Sequence, residues 1–156
     1  MVVLATAAAL GLSLGACSTA DSAAVRASPR ITDTTFEKAA SAVCTQAVRT
    51  FDVATTLPKN ASNAQSAALL MAIDQIFAAM VAQLHQVPVS AADQTTINHW
   101  LADWDSYVAF GHTYANAVLA GTDGILVRND SASQGALRRR LQAFAVANHM
   151  ASCKFQ

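Results

Sequence analysis

The sequence predicts an all-α protein, an antiparallel up-down four-helix bundle closed by one disulfide. Hydrophobic residues make up 53% of the 156-residue chain, and many of them are alanine, the strongest helix former. Apolar residues recur at steps of three and four in four successive segments, and no segment shows the sustained alternation of a strand. The connections between these segments are mostly short, which favours antiparallel neighbours.

The first helix is predicted to begin at Thr34. Thr34 and Glu37 have the spacing of a capping box, in which the hydroxyl and the carboxylate satisfy backbone amides reciprocally. Its apolar face consists of residues at helical spacing, namely Phe36, Ala40, Val43, Cys44, Ala47, Val48 and Phe51. The helix should end before Pro58, because the residue that precedes a proline is disfavoured in helical conformation.

The second helix has the clearest amphipathic pattern in the chain. Ser62 and Gln65 offer another capping box at its start. The apolar stripe that follows comprises Leu69, Leu70, Ile73, Ile76, Phe77, Met80, Val81 and Leu84. Pro88 marks its end.

The third helix is predicted to begin near Ser90 and Asp93 and to stop at Gly121, a typical C-terminal cap. Its apolar positions are Ile97, Trp100, Leu101, Trp104, Val108, Ala115, Val118 and Leu119. Gly111 lies inside the segment and argues against one unbroken helix.

Residues 122–130 are predicted to be a longer connection, with residues 125–127 packed over the end of the core. Ser131 and Gln134 then have the spacing to cap the fourth helix. Its apolar side is predicted to contain Leu137, Leu141, Phe144 and Ala145, with Asn148 on the same side.

The N-terminus has the pattern of an export signal. Residues 2–14 are almost wholly apolar, which matches a secretory signal but is shorter than the roughly 20 residues that span a bilayer. The stretch Leu14-Gly15-Ala16-Cys17 that follows resembles the lipobox of bacterial lipoprotein signal peptides. The resemblance implies that Cys17 becomes the lipidated first residue of the mature protein. We therefore expect a signal peptide at residues 1–16, a flexible tether at 17–33 and the helical bundle at 34–156.

The two remaining cysteines, Cys44 and Cys153, are expected to pair. In an up-down bundle the first and fourth helices are neighbours, and export places both thiols where a disulfide persists. Three cysteines with one consumed by lipid leave two to form a bridge. The alternative is a small core thiol at Cys44 and an unrelated terminal thiol at Cys153.

The lipobox, the alanine-rich helices, the stretch CTQAVR at residues 44–49 and the C-terminal cysteine together resemble small secreted lipoproteins of actinobacteria. Such proteins are generally helical, closed by a disulfide and without an assigned function. The resemblance therefore implies a shape and a location but no activity.

Charge excludes some partners. The chain has ten basic and ten acidic residues and a formal net charge of +0, so no overall field attracts nucleic acid. Arg138, Arg139 and Arg140 form the one dense cluster, which is either a solvated helix face or a contact for an anionic lipid or cell-wall polymer. Three adjacent residues spread widely around a helix and cannot form a single stripe.

The residues for catalysis or a metal centre are sparse. Glu37 is the only glutamate, whereas a di-iron bundle needs several inward carboxylates. His99 with Asp103, and His149 with Cys153, each have the spacing of half a metal site. No Gly-x-Ser-x-Gly motif occurs. We expect no catalytic role, no metal and no cofactor.

Aromatic residues of the third helix suggest one binding site. Trp100, Trp104, Tyr107 and Tyr114 are either ordinary core or the lining of a cavity for an apolar ligand such as a lipid or haem. The sequence thus predicts a monomeric, outward-facing cell-envelope lipoprotein that acts as a binding or interaction module of unknown partner. A carrier of an apolar ligand is the alternative, and without lipidation the protein would be secreted.

Overall fold

The computed structural model describes residues 28–54 and 58–154. Within these ranges the chain forms α1 (Thr34–Ala54), α2 (Asn63–Leu84), α3 (Gln94–Ala120), α4 (Asp123–Ala147) and a 3₁₀ turn (Ala151–Cys153). No strand occurs in the same ranges. The predicted all-α helical bundle is therefore confirmed.

α2 and α3 run antiparallel. Phe77 of α2 contacts Tyr107 of α3 with ring centroids 5.9 Å apart, and His85, which directly follows α2, pairs with Asp105, earlier in α3, at 3.1 Å. Rising positions in one helix thus meet falling positions in the next. This direction follows from the short connections, which return the chain beside the helix that it has just left.

The side of the bundle between α1 and α4 is closed by side chains. Over the described residues these two helices have no Cα atoms within 8 Å of each other. The indole of Trp100 fills the gap: it stacks on Phe144 at 5.0 Å and meets the ring of Phe36 edge-on at 6.2 Å. One side chain of α3 therefore connects the outer two helices.

The C-terminal residues double back to cover α1. His149 has a left-handed backbone, with φ of 55°, and the amide of Met150 donates to the carbonyl of Ala145 at 2.9 Å. The 3₁₀ turn that follows carries Cys153 to Cys44, and the two form a disulfide with Cα atoms 5.0 Å apart. The predicted cysteine pair is confirmed.

The end of the predicted tether is part of the packed domain. Asn148 of α4's C-terminus is fully buried; its Oδ1 accepts from the amide of Ile31 at 2.9 Å and its Nδ2 donates to the carbonyl of Pro29 at 3.2 Å. Ile31 is itself buried in the core. The packed domain therefore includes residues from Pro29 onward, whereas residue 34 was expected as its start. The buried side-chain amide of Asn148 makes this possible, because it forms hydrogen bonds with the backbone of Pro29 and Ile31.

The N-terminal cap of α1 is Asp33, and the capping box expected from Thr34 and Glu37 is a wrong prediction. Oδ1 of Asp33 accepts from the amides of Thr35 at 3.1 Å and Phe36 at 3.0 Å. An ionised carboxylate is a strong acceptor for these unpaired amides. The predicted box at Ser62 and Gln65 is present at the start of α2.

A second aspartate joins the starts of α1 and α3. Oδ2 of Asp93 accepts from the amide and the hydroxyl of Thr32, each at 2.9 Å, and from the amide of Asp33 at 2.9 Å. In return, Oδ2 of Asp33 accepts from the amide of Ser90 at 2.8 Å. We call this reciprocal pair, Asp33 and Asp93, the aspartate clasp.

Hydrogen bonds lower the pKa of both clasp carboxyls. For Asp33 the main causes are the amides of Phe36 and Ser90. For Asp93, burial acts to raise the pKa, but the bonds from Thr32, Asp33 and Ser90 together outweigh it. Both groups therefore favour folding in their ionised form.

The connection between α3 and α4 is shorter than expected. Gly121 has φ of 69° and ends α3, and the amide of Thr122 donates to the carbonyl of Ala117 at 2.8 Å. This tight reversal lets α4 begin at Asp123, so the predicted loop over residues 122–130 is wrong, as is the helix start near Ser131. Ile125 is 55% exposed instead of packed on the core.

One described helix, α2, is long and apolar enough to cross a membrane by length and composition alone. Its mean hydropathy reaches 1.8, with 33% of that window buried inside the bundle. Core helices of soluble proteins meet the same criterion. In this structure α2 packs against α1 on one side and α3 on the other.

The aspartate clasp predicts loss of stability in acid. Because the folded-state pKa values of Asp33 and Asp93 are lowered, their contribution is present above the ordinary aspartate pKa of about 3.9. It is lost as the pH falls through the folded values. Exchange of Asp93→Asn should lower the melting temperature at neutral pH and flatten its decline in acid, measured by circular dichroism from pH 7 to pH 2. Asp52→Asn, an exposed acid of α1, is the control. Identical acid profiles for Asp93→Asn and the parent would contradict the assignment.

Candidate ligand-binding cavity

A cavity of about 380 Å³ lies between α2, α3 and α4 and is partly open to solvent. Apolar and aromatic side chains dominate its wall. The lining comprises Leu70, Ile73, Asp74, Phe77, Tyr107, Phe110, Gly111, Tyr114, Gln134, Gly135 and Arg138. A site of this size and character suits a small molecule with a largely apolar body.

Aromatic rings form much of the wall. Phe110 and Tyr114, one turn apart on α3, are nearly parallel, with an interplanar angle of 14° and centroids 6.1 Å apart. Phe77 of α2 meets Tyr107 at 89°. These rings hold one another in defined orientations, so the cavity has a preformed shape.

Asp74 is the acid of the lining, and it is only 6% exposed. Its partner is His112 of α3, whose Nδ1 lies 3.3 Å from Oδ2. Burial raises the pKa of Asp74, and the nearby His112 offsets part of that rise. Fewer hydrogen bonds and ion pairs therefore offset the burial of the Asp74 carboxylate than offset the burial of the carboxylates in the aspartate clasp.

Gly111 explains how the carboxylate fits against α3. A Cβ at this position would lie 2.5 Å from Oδ1 of Asp74. The absence of a side chain thus lets the carboxylate pack directly on the helix backbone. α3 nevertheless continues through Gly111 without a break, contrary to the expectation from its sequence.

Two further polar groups come from α4. Oε1 of Gln134 is buried and has no hydrogen-bond partner within the part of the chain that the structure describes. An unpaired buried acceptor costs free energy. Arg138 lies one turn further along at the cavity mouth, where its side chain is exposed.

A second depression, of about 500 Å³, lies between α3, α4 and the first described residues, Ser28 and Pro29. Arg140 donates two hydrogen bonds to Asp103 here, at 2.9 Å and 2.7 Å. These bonds raise the pKa of Arg140. The two charged side chains of this depression are therefore already paired with each other.

The structure separates the residues that the sequence had grouped. Tyr107 lines the cavity, Trp100 lines the second depression, and Trp104 is buried between them with its ring 5.7 Å from Tyr107. Of the arginines, Arg138 is at the cavity mouth and Arg139 is exposed. Arg140 is held by Asp103, as described above.

Asp74 is the residue that sequence reasoning missed. It lies between Ile73 and Phe77 in the most apolar stripe of the chain, where an acid is rarely buried without a partner. An acid within an apolar stripe was the sequence feature that could have identified it. Phe110 and Gln134, which also line the cavity, have no such feature, because the sequence does not show which face of a helix borders a cavity.

Neither of the two candidate metal half-sites gains further ligands among the described residues. Asp103, four residues after His99, is engaged by Arg140, and Cys153 is in the disulfide and has no thiolate to donate. Across residues 28–54 and 58–154 no group of three or more His, Cys, Asp or Glu residues is placed to hold a metal ion. Cys17, the predicted lipidation site, lies outside the described residues.

Comparison with known proteins gives no match. No protein-family model fits the chain, and no curated protein or solved structure is significantly similar to it.

Substitution of alanine for each of two glycines in the cavity wall should change the free energy of unfolding in opposite directions. Gly135→Ala should stabilise the protein by up to about 1 kcal/mol, because alanine favours helix and the new Cβ meets only the flexible Arg139 guanidinium at 3.4 Å. Gly111→Ala should destabilise it by about 1–2 kcal/mol, because overpacking against Asp74 exceeds the same helix gain. Urea unfolding of both variants measures the difference. Equal shifts of the same sign would show that Asp74 does not pack on α3.

Proposed function

We propose that this protein is an outward-facing, membrane-anchored lipoprotein of the cell envelope whose helical bundle binds a small, largely apolar molecule. The observation that carries the proposal is the cavity of about 380 Å³ between α2, α3 and α4. Its aromatic wall suits an apolar body, and the buried Asp74 and Gln134 can orient a polar group. An interaction module that acts through its surface is the alternative.

The lining supports binding more than catalysis. Among the described residues that line the cavity, Asp74 is the one acid and none is histidine, cysteine or serine, so the lining offers no serine or cysteine nucleophile with a histidine base. Haem would also need an axial ligand, and of the residue types that serve as one (His, Cys, Met and Tyr) the described lining contains only tyrosine. A lipid or another apolar molecule fits the lining better.

The anchor rests on the lipobox resemblance at Leu14 to Cys17. From Cys17 to Ser28 the chain spans at most about 40 Å, because extended residues advance by roughly 3.5 Å each. A lipid on Cys17 would therefore keep the bundle close to the membrane surface. A monomer is sufficient for this arrangement, because the cavity is built from one chain.

The anchor is tested by fractionation of the organism that produces the protein. We expect the parent protein in the membrane fraction and a Cys17→Ala variant in the soluble or secreted fraction, because its acyl anchor is lost. The denatured mass of the parent should equal residues 17–156 plus acyl groups. An unacylated parent, or a Cys17→Ala variant that stays in the membrane, would contradict the anchor and direct attention to α2.

The cavity is tested by native mass spectrometry of the protein extracted in mild detergent. We expect a bound molecule that is lost on denaturation and is absent from an Ile73→Trp variant, whose larger side chain fills the cavity. The control is Ile76→Trp, on the same helix but facing the groove between α1 and α2. Ligand of equal occupancy in both variants would place binding elsewhere, and an empty parent protein would favour the interaction module.

A further inference from the structure

We infer that the cavity selects organic cations, with an ammonium group beside Asp74 and an apolar body against the aromatic wall. This inference rests on the proposed function, since it names the ligand class of the same cavity. It follows from the charge, the rings and the unused acceptor that the fold brings together.

The first observation is the sign of the buried charge. Asp74 is 6% exposed, whereas Arg138, the other charged residue of the lining, is exposed at the mouth. Water and salt screen an exposed charge, and a buried one acts over the same distance with much less screening. The interior of the cavity is therefore negative.

The second observation is how little neutralises Asp74. His112 is the one ion-pair partner that it has in the described part of the chain, and the His112 side chain is 70% exposed. The other carboxylate oxygen, Oδ1, lies against Gly111. By contrast, Asp93 accepts four hydrogen bonds from three residues. An ammonium group in the cavity would supply the compensation that Asp74 lacks.

The third observation is the aromatic wall. Phe77, Tyr107, Phe110 and Tyr114 all line the cavity that contains Asp74. The faces of aromatic rings attract cations, and cages of aromatic rings are a recurrent way to bind an alkylammonium group. A neutral apolar ligand would use the rings but not the carboxylate.

The fourth observation is the unpaired acceptor of α4. Oε1 of Gln134 is buried without a hydrogen-bond donor in the described residues, and Gln134 lines the same cavity. We expect an ammonium N–H of the ligand to donate to this amide oxygen. Acceptors from α2 and α4 thus line one volume, which suits a ligand group that donates more than one hydrogen bond.

A matched set of ligands tests the selectivity. Phenethylamine, phenethyl alcohol and hydrocinnamate carry an ammonium, a hydroxyl and a carboxylate on similar aromatic bodies. Isothermal titration calorimetry of the acylated protein in lipid nanodiscs at pH 7, with empty nanodiscs as reference, compares their affinities. We expect the amine to bind at least about tenfold more tightly than the alcohol, and the carboxylate to bind most weakly.

Two pairs of variants assign the preference to residues. Asp74→Asn should reduce the preference for the amine to about threefold or less while it keeps binding of the alcohol, which reports an intact cavity. Asp105→Asn, an acid of α3 that pairs with His85 on the surface, should retain the preference. Arg138→Gln should raise the affinity for the amine about two- to threefold, and Arg139→Gln, its exposed neighbour outside the lining, should not.

The outcomes separate this inference from the proposed function. Equal affinity for the three ligands, or an amine preference that survives Asp74→Asn, overturns the cation selectivity and leaves a cavity for apolar ligands. If the extracted protein carries a neutral or anionic molecule and no probe binds, only the selectivity fails. If it is empty and no probe binds, both fail. Should Asp74→Asn not fold, an amine affinity that is the same in Arg138→Gln and Arg139→Gln overturns the inference.

Discussion

The fold depends on how α1 is held against the far side of the bundle. α1 packs on α2, but over the described residues it makes no close backbone approach to α4. The disulfide between Cys44 and Cys153 supplies this connection across 109 positions of the chain. A cross-link of that span excludes many unfolded conformations. It also keeps the 3₁₀ turn packed on α1.

Buried polar groups also hold the N-terminal end of α1 and the segment before it against the other helices. Asn148 fastens the segment before α1 to the end of α4, and the aspartate clasp fastens it to the start of α3. Each buried polar atom of this set satisfies backbone that would otherwise be left without a partner. The segment before α1, which includes the end of the predicted tether, thus belongs to the packed domain.

Asp74 and Asp93 show how placement decides the role of one residue type. Both are buried, yet the pKa of Asp93 is lowered by its donors and that of Asp74 is raised by burial. Asp93 is fully used by the fold. A carboxylate that is retained in an apolar cavity with weak compensation costs stability, which is typical of a binding group. This contrast is the physical reason why we propose Asp74, and not Asp93, as a ligand contact.

The sequence by itself determined the helical class, three of the four helix segments, the caps at Ser62 and Gly121, and the cysteine pair, because these depend on local periodicity, local capping and parity. It also carries the lipobox, which stays a prediction. The Asp33 cap of α1 is also local, but it was not predicted from the sequence. Only the tertiary structure decided that Asp33 also accepts from the amide of Ser90, that α4 begins at Asp123, and that a cavity exists. The cavity joins Asp74, Gly111 and Gln134 from three helices. Distances between helices depend on packing of residues far apart in the chain, and no local pattern encodes them.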